Sequence, residues 1–260
     1  MNDVRQGFSV QPQVFEQVFE KGRYIARQAR DDATIAAAVA LRYRAFVDPQ
    51  GDGQDRDRFD DLCDHVVVEA ADTGAVVACY RLMHIPDGRA ISQSYSAQFY
   101  DLSALNAYRQ PMVEMGRFCV APGLRDPDIL RISWAMMTRF VDRHGIGLMF
   151  GCTSFAGTNP APYRAAFDLL RQKHLAPPAM RPRQKAPEIF RFADRKGPRA
   201  DAAAGQAVMP PLLKTYMAMG GWVSDHAVID RDLNTMHVFT GLEVAAVPPA
   251  RARILRRDAR

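Results

Sequence analysis

No apolar run in this sequence reaches the roughly 18 residues that a membrane-spanning helix needs. The N-terminus, MNDVRQGFSVQPQVFEQVFEKGRYIARQAR, lacks the continuous apolar core of a secretory signal. Cysteine is sparse. Cys63, Cys79, Cys119 and Cys152 lie far apart and form no CxxC pair, which argues against a zinc site and reads as reduced core thiols of the cytosol. The six histidines form no HxxxH or HxxxxD acyltransferase motif. No internal repeat is present, and no nucleic-acid-binding motif accompanies the basic charge, so nucleic acid is not an expected partner.

What is present describes a soluble globular chain. Of 260 residues, 48% are hydrophobic and 24% charged, enough for one large domain or a domain with extensions. The net charge of +5 is unevenly placed. Seven aspartates fall between Asp48 and Asp64, and nine Lys/Arg between Arg171 and Arg199. A basic segment of that kind suits an acidic protein or an anionic membrane surface.

Periodicity divides the chain into three parts. Residues 1–30 are expected to carry an amphipathic helix able to touch a membrane, because Val14, Phe15, Val18, Phe19 and Ile25 fall near one side. Residues 31–245 form the main domain, and residues 246–260 a frayed basic tail. Within the main domain, DATIAAAVALRYRAF reads as a helix capped by Asp31 or Asp32. HVVVEA and AVVACYRLMH read as a hairpin around ADTG, and MVEMGRFCV as the next strand. ILRISWAMMTRFVDRHG is a helix stopped by Gly145, IGLMFGCTSF a buried strand, and PAPYRAAFDLLRQKHL a further helix. A short helix and one or two strands follow. This order predicts an α/β (α+β) domain, a mixed central sheet with helices on both faces, and suits the GNAT-like N-acyltransferase fold. In that class a glycine-rich turn cradles the coenzyme A pyrophosphate. Here the place is held by APGLRDPDIL, whose two prolines lack an N–H, so a nucleotide-free acyl donor is expected.

VEMGRFCV poses a specific question. Glu114 and Arg117 are three residues apart in a strand, which puts them on opposite faces unless a bulge intervenes. LRYRAF, DRDRFDD, YRLM and VEMGRFCV, in this order, resemble the acyl-homoserine-lactone synthases, although VDPQGDG stands where those enzymes carry a tryptophan. The C-terminal part, PPLLKTYMAMGGWVSDHAVIDRDLNTMHVF, looks like the related ornithine-acyl-carrier-protein N-acyltransferases of ornithine lipid synthesis. That resemblance implies transfer of a 3-hydroxyacyl chain from the phosphopantetheine thioester of acyl carrier protein to the α-amine of an amino acid, with no other cofactor and no metal. L-Ornithine is the first expectation. Glutamine as acceptor, homoserine-lactone synthesis and a non-enzymatic membrane-binding module are the alternatives. It also implies a cytoplasmic enzyme held peripherally at the inner membrane.

Residue by residue, the resemblance points to Arg42, Phe46, Asp57, Asp60 and Arg81 around the substrate, with Glu114 and Arg117 as catalytic candidates. A carboxylate at Glu114 can take the proton of the acceptor ammonium. Asp225 is a further acceptor-pocket candidate, and Ser154 and Asn159 can bind pantetheine amides or cap a helix. Cys119 reads as core rather than nucleophile.

Overall fold

A computed structural model describes residues 18–194 and 200–259. Eleven strands are found among them: β1 (Val18–Lys21), β2 (Tyr24–Ala29), β3 (Asp64–Ala70), β4 (Val76–Ile85), β5 (Tyr100–Asp101), β6 (Met112–Val120), β7 (Leu148–Ala156), β8 (Arg183–Gln184), β9 (Ile189–Arg191), β10 (Trp222–Asp230) and β11 (Thr235–Glu243). Six helices accompany them: α1 (Asp32–Phe46), α2 (Pro127–His144), α3 (Arg164–Lys173), α4 (Ala202–Val208), α5 (Pro211–Ala218) and α6 (Pro249–Asp258). Nine strands form one sheet in the order β1-β2-β3-β4-β6-β7-β11-β10-β9, while β5 and β8 make a separate ribbon. Its one parallel pair among the described residues is β6 with β7, joined by α2 as a parallel pair requires.

The expected mixed sheet with helices on both faces is therefore present. On one face α2, α3 and α5 pack over Leu82, Val113, Met115, Met149, Phe155 and Val238. On the other, α1 covers Val67, Cys79 and Cys119, and the segment between β4 and β6 covers Met112, Leu148, Phe150 and Phe239. The capping residues act as expected: Asp31 accepts from the Thr34 N–H, and Gly145, at φ 58°, ends α2.

Two expectations at the ends change. Residues 18–29 do not continue a helix; they are the hairpin β1–β2, and residues 1–17 lie outside the described residues. Phe19, Tyr24, Ala26 and Ala29 are buried against the domain, so the hairpin belongs to the sheet. Gly22, at φ 62°, allows the reversal that breaks the helical register. The basic C-terminus is not frayed either. It forms α6, which docks on α2 through Leu255 and through Arg256, bidentate to Asp142.

Candidate active site

The strand β6 is bulged. Its register with β4 shifts between Cys79 and Arg81, which pair with Cys119 and Gly116, so Arg117 and Phe118 together oppose Tyr80. Arg117 takes the left-handed conformation, φ 55°, that side chains with a Cβ rarely adopt. Before the bulge, Met112 faces the α1 side and Val113 the α2 side; after it, Phe118 and Val120 face α2 and Cys119 faces α1. The extra residue thus brings Glu114 and Arg117 onto the same face. Both converge on Tyr95: Glu114 accepts from its N–H at 2.7 Å, and Arg117 Nη1 donates to its Oη at 3.2 Å.

Arg117 closes a ring of six charges. Its Nε donates to Asp55 at 2.9 Å and its Nη2 to Asp57 at 3.2 Å. Arg42 donates to Asp55 at 2.8 Å and to Asp60 at 2.6 Å. Arg81 binds Asp57 at 2.7 and 2.9 Å and Asp60 at 2.8 Å. Three guanidinium groups meet three carboxylates, so a largely buried cluster is neutral and mutually paired, as burial demands. Burial would raise the Asp60 carboxyl, but the bonds from Arg42 and the Asp57 N–H outweigh it and hold it at about 2. Asp55, absent from the sequence-based candidates, bridges Arg42 and Arg117; its alternation with Asp57 in DRDRFDD was the available signal. The ring pins the loop after α1 to the sheet.

Glu114 stands apart from that ring. It is 4% exposed, and Oε1 accepts from the Ser96 N–H (2.7 Å) and Oγ (2.5 Å). Burial raises its carboxyl, and the donors from Ser96 and Tyr95 offset part of the rise.

Beyond Glu114 the strands β6 and β7 diverge, because their parallel pairing ends at Glu114 opposite Phe150. Gly151 sits where they part: a Cβ there would stand 2.3 Å from the Met115 carbonyl oxygen. A cavity of about 810 Å³ fills the opening and runs through the sheet. On the α2 side its walls are mostly apolar, from Leu124, Leu130, Leu212 and Tyr216, with Arg125 and Asp126 where α2 begins. On the α1 side they are polar, from Tyr95, Glu114, Arg117, Cys152, Ser154, Asp230, Thr235 and His237. Burial pushes the Cys152 thiol well above its ordinary value, which removes it as a thiolate nucleophile. Cys119 is core, with its sulfur 3.5 Å from that of Cys79.

Phe46 and Ser154 line the cavity. Asn159 and Asp225 do not. Asn159 accepts from the Ala161 N–H at the start of a helical turn, so its capping reading holds. Asp225 is tied to His226 at 2.5 Å and to Arg191 at 3.1 Å, away from the opening. Asp230, five residues on, occupies the cavity instead.

At the N-terminus of α2 stands a carboxylate rather than an anion nest. Asp126 accepts from the Asp128 N–H and binds Tyr24 Oη at 2.8 Å and Arg23. A pyrophosphate placed there would meet that negative charge. The basic connector after α3 is partly consumed internally: Arg181 donates to the Ala176 carbonyl, Lys185 to that of Ala97, and Arg191 binds Asp225. Arg195, Lys196 and Arg199 lie outside the described residues. No group of three or more potential metal-ligating side chains occurs among the described residues.

Comparison with known proteins agrees with this architecture. The family described as acetyltransferase (GNAT) domain matches residues 41–135. The L-ornithine N(alpha)-acyltransferase of Rhodobacter capsulatus is 35% identical over 239 residues, which cover 86% of this chain and 91% of that protein. The protein of the same name from Brucella abortus is 31% identical, covering 87% of this chain and 86% of its own length. Among solved structures, FeeM, an N-acyl amino acid synthase from uncultured soil microbes, superposes with a TM-score of 0.50 at 10% identity, over 86% of this chain and 92% of that one. At that identity it speaks for the fold alone.

Proposed function

The chain belongs to the L-ornithine N(alpha)-acyltransferase family, and from this premise we propose that it transfers a long 3-hydroxyacyl chain from acyl carrier protein to the α-amine of L-ornithine. The observation that carries the reading is the cavity between β6 and β7, mostly apolar on one side of the sheet and polar on the other. The acyl chain lies on the α2 side, against Leu130, Leu212 and Tyr216. The amino acid enters from the α1 side. Their reacting atoms meet at the splay, where β6 loses its β7 partner.

Only the neutral amine attacks a thioester. Glu114 takes the ammonium proton, directly or through one water, and burial favours a base by raising its carboxyl. The amine nitrogen then bonds to the thioester carbon. The resulting oxyanion is stabilised by backbone N–H groups of the splayed strand. Collapse breaks the carbon–sulfur bond and expels the phosphopantetheine thiolate, a good leaving group with a thiol pKa of roughly 8.5 by analogy with cysteine; it takes up the proton that the new amide nitrogen gives up and departs as the thiol. Arg117 and Tyr95 shape the polar chamber.

Acyl carrier protein is favoured over coenzyme A because Asp126 occupies the helix end where a pyrophosphate would bind. The test is thiol release and product mass spectrometry with L-ornithine and either donor. We expect faster turnover with the carrier-protein thioester. Equal efficiency with coenzyme A would overturn the donor assignment. No thiol release with any amino acid would overturn the acyl transfer.

The product is an amphiphile, so we also propose a cytoplasmic enzyme attached peripherally at the inner membrane. No helix among the described residues is long and apolar enough to cross a membrane. α6 presents Arg251, Arg253 and Arg257 beside an exposed Ile254, a basic and apolar pairing suited to anionic lipid. Sedimentation with phosphatidylglycerol vesicles should be strong at low salt and fall as salt rises. Absence of binding at low salt would rule out this attachment.

A further inference from the structure

We propose that Asp230 selects a cationic acceptor, pairing its carboxylate with the side-chain ammonium of the amino acid; this deepens the acyltransferase reading and rests on it. Alternation along β10 puts Val228 on the polar-chamber face, in the cluster with Phe150 and Phe239, and Ile229 on the other. Asp230 therefore faces the chamber, and it lines the cavity.

What separates Asp230 from the other carboxylates of that chamber is its lack of commitment. Glu114 already accepts three bonds from Tyr95 and Ser96, and its remaining lone pair is assigned to the reacting α-amine. Asp55 and Asp57 are spent on the arginine ring. Asp230 accepts one bond, from the Leu233 N–H to Oδ1 at 3.0 Å, and forms no ion pair among the described residues. Arg117, the chamber's guanidinium, is already taken by Asp55 and Asp57.

A second, independent feature marks the same place as a ligand site. Thr235 is the direct cross-strand partner of Asp230, and His237 follows it on the same face, opposite Ser154 on β7. Thr235 Oγ1 and His237 Nε2 are buried without a hydrogen-bond partner among the described residues. His237 is 2% exposed and lines the cavity. Burial holds its imidazole down at about 4, so it adds no positive charge to compete for Asp230. Orphaned polar atoms beside an unpaired carboxylate describe a chamber completed by a polar, cationic guest. A glutamine amide in the same place would leave the carboxylate without a counter-charge, and a site built for a charged partner discriminates against the analogue that lacks it.

The experiment compares L-ornithine with L-norvaline, which lacks only the side-chain amino group, and with L-glutamine, using the full chain and one acyl donor. Asp230→Asn is the informative variant, because its amide oxygen still accepts from the Leu233 N–H and the turn is kept. Loss of a charged hydrogen bond should lower the ratio of kcat/KM for ornithine to that for norvaline by on the order of 10- to 100-fold, mainly through KM. Asp230→Glu should restore part of the preference. A thermal melt checks that each variant folds. An unchanged ornithine-to-norvaline ratio in folded Asp230→Asn overturns the proposal. So does a wild-type enzyme that prefers glutamine, although acyl transfer itself would then stand. A wild-type chain that acylates none of the three overturns the acyltransferase reading instead.

Discussion

Arg42→Ala should lose roughly 3–5 kcal/mol of stability, the usual cost of breaking a buried, hydrogen-bonded ion pair. Arg42 is 1% exposed and holds both Asp55 and Asp60. Without it, two carboxylates of a largely buried cluster lose donors, and Arg117, which shares Asp55, loses part of its support. Arg42→Lys should recover little, since one ammonium cannot reproduce a fork that spans two carboxylates. Arg56→Ala is the control. Arg56 pairs with Asp61 at the surface, both more than half exposed, and its loss should cost under about 1 kcal/mol. The pH dependence carries a definite sign. The Asp60 carboxyl is held down at about 2 in the folded state against about 3.9 unfolded. Its contribution, about 2.6 kcal/mol, is therefore fully present above about pH 5 and lost as pH falls through 4 towards 2. Urea unfolding of the three variants at pH 7, and of the wild type between pH 6 and pH 2, measures all of this. An Arg42→Ala loss no larger than that of Arg56→Ala would mean that the ring does not hold the loop.

That ring shows what a sequence discloses and what it withholds. Arg42, Asp57, Asp60 and Arg81 stand out through the family resemblance, and the need of buried charges for partners is the reason they cluster. The pairing itself depends on a loop folding back over the sheet, so Asp55, one more aspartate in an aspartate-rich stretch, did not stand out. Glu114 and Arg117 were legible as a problem, two charges three apart in a strand. The bulge that resolves it lies in the register of β4 against β6, a long-range property. The large apolar residues of the hairpin β1–β2 fall at helical spacing, so the sequence there reads as a helix. Burial of Tyr24, Ala26 and Ala29 under α2 and α1, with Gly22 at positive φ, decides otherwise.

The acceptor side gives the same lesson on a smaller scale. In WVSDHAVID, Asp225 and Asp230 are five apart, so strand alternation sends them to opposite faces, and a register shift between Val223 and Ala227 hides which is which. Only Asp230 reaches the cavity. The signal for Thr235 and His237 was present in TMHVF, where polar and apolar residues alternate. Such a strand, buried on both faces, places its polar side against something polar, here the chamber.

Glu114→Gln should lower kcat by about 10²- to 10⁴-fold if Glu114 takes the ammonium proton. The carboxylate is also an anchor, because its two oxygens accept from three donors of Tyr95 and Ser96. A glutamine amide has one oxygen, so in either orientation its NH₂ faces a backbone N–H. Loosening of the turn over Tyr95 should cost on the order of 1–3 kcal/mol, and a stability loss alone therefore does not separate the two roles. The pH profile separates them. Burial raises the Glu114 carboxyl above its ordinary value, and the Ser96 hydroxyl and N–H pull it back. The base form exists above that folded pKa, so wild-type kcat should fall on the acid side as the carboxylate is protonated. Ser96→Ala removes a donor of the charged form while keeping the carboxylate, so the acid limb should move to higher pH. Glu114→Gln should lose the limb altogether. Rates and thermal unfolding on the same preparations, with ornithine held saturating, provide the comparison. An acid limb that stays in place in Ser96→Ala and survives in Glu114→Gln would leave Glu114 as the fastener of the Tyr95 turn, and the proton would have to leave the amine by way of solvent.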